Sequence, residues 1–111
     1  MDEKAIIEKM NQIEFHQSLM IKMISSSKDE FYKLVIERSL NKEEVDTFYQ
    51  NCTNLSKLLE EQKEEGFVYF HALFEDFKFM LHPNLQVEEV IRACINQQLF
   101  IPLMEEFIKY L

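Results

Sequence analysis

Residues 67–81, FVYFHALFEDFKFML, decide how this chain is read, because eleven of the fifteen are apolar or aromatic. On a helix turning about 100° per residue, Phe67, Phe70, Leu73, Phe74, Phe77, Met80 and Leu81 fill one broad arc. Val68, Ala72 and Phe79 form a second apolar face, and His71, Glu75 and Lys78 share a narrow polar strip. A helix apolar around most of its circumference must be covered on several sides. It is therefore expected to be innermost in its own bundle or to lie between subunits.

Outward from that stretch, the boundaries are local signals. Gly66, the single glycine, is suited to the left-handed turn that closes a helix. The alternative is one long helix running through it, at a cost of about 1 kcal/mol relative to alanine. His82-Pro83-Asn84 ends the aromatic segment, since proline disfavours helical geometry in the residue before it and supplies no amide. Upstream, Asn41 with Glu44 three residues on reads as a capping box, with Leu40 placed to staple onto Val45. From there Val45, Phe48, Cys52, Leu55 and Leu59 repeat at helical spacing to about residue 63. Ser27 with Glu30 reads as another capping box, opening a short helix over about 28–39 that contributes Phe31, Leu34 and Val35.

Residues 3–24 make the first helix. Ile6, Ile7, Met10, Ile13, Met20, Ile21 and Ile24 lie on one face, which is expected to enter the core. Phe15, Leu19 and Met23 form a second stripe, where a lone subunit would place charge. Downstream, Val87, Val90, Ile91, Cys94, Ile95 and Leu99 form another helical stripe, with Glu88 and Glu89 suited to its positive end. Pro102 either kinks that helix or starts a new one. The terminal segment, with Leu103, Met104, Phe107, Ile108 and Leu111, is apolar enough to be expected docked.

Composition bounds the class. With 111 residues the chain fits one domain, residues 1–111. One Gly and two Pro leave little material for the turns of a β fold. The expectation is an all-α bundle of five or six helices, with the first, third and fifth packed around the aromatic one. A net charge of −8 opposes nucleic-acid binding, which rests on Lys and Arg clusters. The acidic start Met1-Asp2-Glu3-Lys4 is unlike a secretory signal, and no run approaches the roughly 18 apolar residues of a membrane span. A soluble cytoplasmic protein is expected, without nucleic-acid or membrane partners. Cys52 and Cys94 read as reduced core residues.

Chemistry is sparse. A single glycine excludes the dinucleotide fingerprint and the phosphate loop. CxxC, HExxH and Glu-x-x-His patterns are absent, so neither a metal nor a cofactor is expected. The one constellation left is His71 with Glu75 a turn later, beside Asp76 and Lys78. In a buried helix such a strip would handle protons or a ligand; on a solvated edge it is ordinary ion pairing. His16 and His82 read as surface or hydrogen-bonded structural histidines. Glu60, Glu61, Glu64 and Glu65 read as a solvated face.

The segments Asn41-Lys-Glu-Glu-Val, Glu65-Gly66-Phe67-Val68, His82-Pro83-Asn84-Leu85 and Gln97-Gln98-Leu99 together resemble the YhaI-like family of small Bacillus proteins over nearly the whole length. That resemblance implies a multihelical fold with intertwined, self-associating subunits and no assigned activity, so it carries over no functional residues.

Two functional readings follow. The first is an interaction or regulatory module that self-associates as a dimer or trimer through Phe15, Leu19, Met23, Val68 and Phe79, and that also accepts another protein. The second is a small-ligand binder or enzyme using His71 and Glu75 in a phenylalanine-lined pocket.

Overall fold

The computed structural model describes residues 2–24 and 28–111. Among them are six α-helices and a closing 3-10 turn: α1 Glu3–Met23, α2 Glu30–Glu37, α3 Lys42–Glu64, α4 His71–Met80, α5 Val87–Asn96 and α6 Ile101–Phe107, then Ile108–Tyr110. No strand occurs among the described residues. The fold is all-α, as the periodicity requires.

Helix ends follow local chemistry where the partners are close in sequence. At α3, the Asn41 side chain accepts from the Glu44 amide at 2.8 Å while Glu44 Oε1 accepts from the Asn41 amide at 2.9 Å, so both halves of the capping box are present. At the other end Gly66 adopts φ +93°. The Phe67 amide donates to the Gln62 carbonyl at 2.9 Å and the Gly66 amide to the Lys63 carbonyl at 3.1 Å, which is the Schellman closure. The chain therefore breaks at Gly66 instead of running through. Pro102 lies in the first turn of α6 after Phe100 takes a left-handed conformation (φ 51°), so it starts a new helix. The Ser27–Glu30 capping box falls on Ser27, outside the described residues. The amides of Phe31 and Tyr32 near the start of α2 instead donate to Gln97 Oε1 at 2.9 and 3.2 Å.

The core is built by α2 to α6. Val90, Ile91 and Cys94 of α5 and Leu103, Met104 and Phe107 of α6 are wholly buried, against Phe31 of α2, Cys52, Leu55 and Leu59 of α3, and Leu73, Phe74 and Phe77 of α4. The innermost elements are thus α5 and α6, and the aromatic segment is not the hub. Its first residues, Phe67, Val68 and Tyr69, lie outside the helix and are exposed. Within α4, Phe74 is 3% exposed and Phe79 is 92% exposed, and Met80 is exposed too. Three faces of a ten-residue helix cannot all be covered when its packing partner is mainly α3. The terminus is docked through Leu103, Met104 and Phe107, although Leu111 itself is exposed.

The largest correction concerns α1. None of its residues is buried, so the face carrying Ile6, Met10 and Ile13 does not enter the core. The helix extends from the body and meets α2 near its own C-terminal end, where Ile21, Ile24 and Ile36 border one groove. It gives the molecule extents of 61 × 28 × 18 Å and a radius of gyration of 17.4 Å, against about 13 Å for a compact chain of this length. The buried residues of α2 and α3 pack with those of α4, α5 and α6, and none of them belongs to α1.

Candidate functional site

The polar strip of α4 is assembled as its spacing demands. His71 Nε2 lies 3.3 Å and Lys78 Nζ 3.1 Å from Glu75 Oε1, with the three side chains roughly half exposed. Lys78 also sits over the Phe74 ring, 5.1 Å from its centre. Glu75, Asp76 and Lys78 border an open surface dish with Phe79. His71 points instead toward Tyr110, their rings 5.4 Å apart. The strip is thus a solvated network of one-turn ion pairs, of a kind worth about 0.3–0.5 kcal/mol per pair.

A second constellation, which sequence spacing did not connect, forms where the start of α3 meets the loop after α4. Phe31, Leu40, Val45, Phe48, Met80 and Leu85 wall a cavity of about 250 Å³. Phe31 and Phe48 stack at its floor, 5.0 Å apart and 23° from parallel. Its rim carries Asn41, Glu43, Glu44, Thr47, Asn51 and His82. Glu44 reaches this rim because its capping-box role holds the carboxyl at the first turn of α3, leaving Oε2 against His82 Nε2.

His82 is held from its other side. Its Nδ1 accepts from the Asn84 amide at 3.0 Å, and the Asn84 side chain donates to the Arg38 carbonyl at 3.0 Å. Both ring nitrogens are thus engaged, Nδ1 by the Asn84 amide and Nε2 by the Glu44 carboxylate. Glu44 keeps its negative charge: the hydrogen bond from the Asn41 backbone lowers its carboxyl below the ordinary range, helped by His82, while partial desolvation opposes the shift. Arg38, at the end of α2, also pairs with Glu89 of α5 at 2.6 Å.

The two thiols are inert core groups. Cys52 and Cys94 are free and buried. Burial pushes the Cys94 thiol up to about 12 and raises that of Cys52 further, so neither supplies a thiolate at neutral pH. Among the described residues, no three His, Cys, Asp or Glu side chains gather as a metal-ligand set, and no helix is long and apolar enough to cross a membrane.

The remaining candidates are surfaces. Phe15, Leu19 and Met23 on α1 are 61%, 41% and 81% exposed, and Val68 is 83% exposed. Val68 and Phe79 flank the two ends of the aromatic segment, away from α1 in sequence, and none of the described residues covers them.

The chain belongs to the family described as a protein of unknown function (DUF1878), which matches residues 1–111. Its biochemical activity is thus unknown at the family level as well, and the arrangement of the side chains carries the argument from here.

Proposed function

We propose that the protein is an interaction module that self-assembles through α1, as a dimer or trimer, and acts through the assembled surface. The observation that carries this reading is α1 itself: eight large apolar side chains on one helix, from Ile6 to Met23, are each 41–81% exposed. A lone helix with apolar residues on both flanks gains nothing from water, and the usual solution is a closed symmetric assembly.

The charge distribution favours a second copy at this place. Asp2, Glu3, Glu8 and Glu14 face Lys4, Lys9 and Lys22 within the first 24 residues, so that segment contributes one of the chain's eight net negative charges. The other seven lie in the body, where copies repel. Contact through α1 brings together the near-neutral parts and leaves the acidic bodies apart, screened beyond about 10 Å.

Magnitudes bound the affinity. Eight half-exposed side chains amount to about four full burials, or roughly 6–12 kcal/mol gross at about 1.5–3 each. Association itself costs about 4–15 kcal/mol. At the favourable end of these ranges, about 12 against about 4 kcal/mol, assembly reaches the micromolar range, within a cytosolic protein resembling the YhaI-like proteins of Bacillus, with no nucleic-acid or membrane partner.

Light scattering coupled to size exclusion tests this. The expected mass is two or three times the 13.4 kDa chain, and Leu19→Lys, which would desolvate a charge in the contact, is expected to return it to one. A wild-type mass of one chain at tens of micromolar sinks the proposal.

A further inference from the structure

We propose that the cavity between the start of α3 and the end of α4 binds a small organic cation: a primary ammonium carried on an aromatic or branched aliphatic group. Three observations set the class, beginning with size. A dry apolar cavity of about 150 Å³ accommodates a benzene ring. The roughly 250 Å³ here therefore holds about ten heavy atoms by the same measure, a ring with a short arm.

The second observation is the chemistry of the walls. Six apolar side chains line this half-open space, the stacked pair Phe31 and Phe48 among them, and a further ring packs favourably against such aromatic walls. Water there finds few partners, and an apolar group displacing it gains affinity.

The third is the charge of the rim. Its lining carries two carboxylates, Glu43 and Glu44, and neither Lys nor Arg. The nearby Lys42 is engaged with Asp46 at 2.9 Å, and its pairing holds its own proton more firmly. His82 is engaged on both ring nitrogens, by the Asn84 amide and by Glu44, so Glu43 is the rim carboxylate without a basic partner in this lining. The Thr47 hydroxyl and the Asn41 and Asn51 side-chain carbonyls are further acceptors at the mouth. A head group with three N–H donors and a positive charge matches that set, whereas a carboxylate or phosphate meets two negative charges.

The test is an amide NMR titration of the full-length, ¹⁵N-labelled protein at neutral pH with phenethylamine, 2-phenylethanol and phenylacetate, three probes of near-equal size and different charge. Saturable shifts are expected at Val45, Phe48 and Met80. Since a partly exposed charge pair is worth at most about 1 kcal/mol, the amine should bind about three- to fivefold more tightly than the alcohol, and the carboxylate more weakly than both. Glu44→Gln preserves the capping box, which accepts Gln, and should narrow the preference for amine over alcohol, with Glu43 still on the rim. Thr47→Trp, placed on the exposed rim, should close the mouth to all three probes, with Met80→Trp serving the same purpose from the opposite wall. The inference is overturned by strictly linear shifts up to about 50 mM, several times the Kd of about 10 mM that corresponds to the weakest efficiency expected of nine heavy atoms. Shifts centred elsewhere, equal binding of the three probes, or binding that survives both tryptophan variants also overturn it. None of these outcomes depends on self-assembly through α1.

Discussion

Helices α1 and α5 carry the same kind of pattern and end in opposite environments. Ile6, Met10 and Ile13 repeat along α1 as Val90, Ile91 and Cys94 do along α5, yet the first three are 44%, 57% and 53% exposed and the second three are fully buried. The difference lies in the neighbours: α5 is enclosed by α2 on one side and α6 on the other, whereas α1 leaves the body and touches it near one end. Helical periodicity thus records that a face is to be covered. It carries no information on whether the cover is in the same chain.

Helix α4 repeats this contrast on a smaller scale, and it offers the sharpest way to break the comparison. Phe74 packs on Phe107 with ring centres 5.7 Å apart, so Phe74→Ala should cost about 3–5 kcal/mol through lost burial and the cavity left behind. Against a typical total stability of about 5–15 kcal/mol, thermal melts will show it readily. Phe79→Ala, five residues away, should change the melt by no more than about 0.5 kcal/mol. Equal losses at the two positions would mean that Phe79 is covered in solution.

Next in size is the start of α2. The amides of Phe31 and Tyr32 depend on Gln97 Oε1, and Gln97→Ala removes the acceptor from both, with an expected loss of about 1–2 kcal/mol in urea unfolding. Asn41→Ala removes the corresponding local cap of α3 and should cost about 1 kcal/mol. A Gln97→Ala variant as stable as wild type would show that water serves the α2 amides equally well.

The smallest effect is in pH. The Glu44 carboxyl is lowered in the folded state, chiefly by the Asn41 amide, so its contribution is fully present above the unfolded value of about 4.3 and is lost as pH falls through the folded value below that. Urea midpoints of wild type and Glu44→Gln should converge as the solution is acidified from about pH 5 toward pH 3. Parallel curves over that range would show that Glu44 contributes nothing to acid sensitivity.

Legibility followed sequence distance. The Asn41–Glu44 box spans three residues, and the Gly66 closure needs a residue that tolerates φ +93°, so both could be read directly. The second acceptor-donor set at α2 comes from Gln97, 66 residues from Phe31, and no local pattern announces it. The same holds for the cavity rim. His82 read as a structural histidine, and its meeting with Glu44 required α3 and the loop after α4 to be packed together first. The His71, Glu75 and Lys78 strip was legible as a set because one helix turn brings the three together.

By itself, the sequence determined the all-α class, the helix boundaries set by caps, glycine and proline, and which residues share a face, since these depend on dihedral preferences and hydrogen bonds within a few residues. Tertiary structure alone decided which faces are buried. Burial is a competition among all the apolar faces of the chain for a limited interior, and here α5 and α6 occupy it, which leaves α1 and half of α4 at the surface.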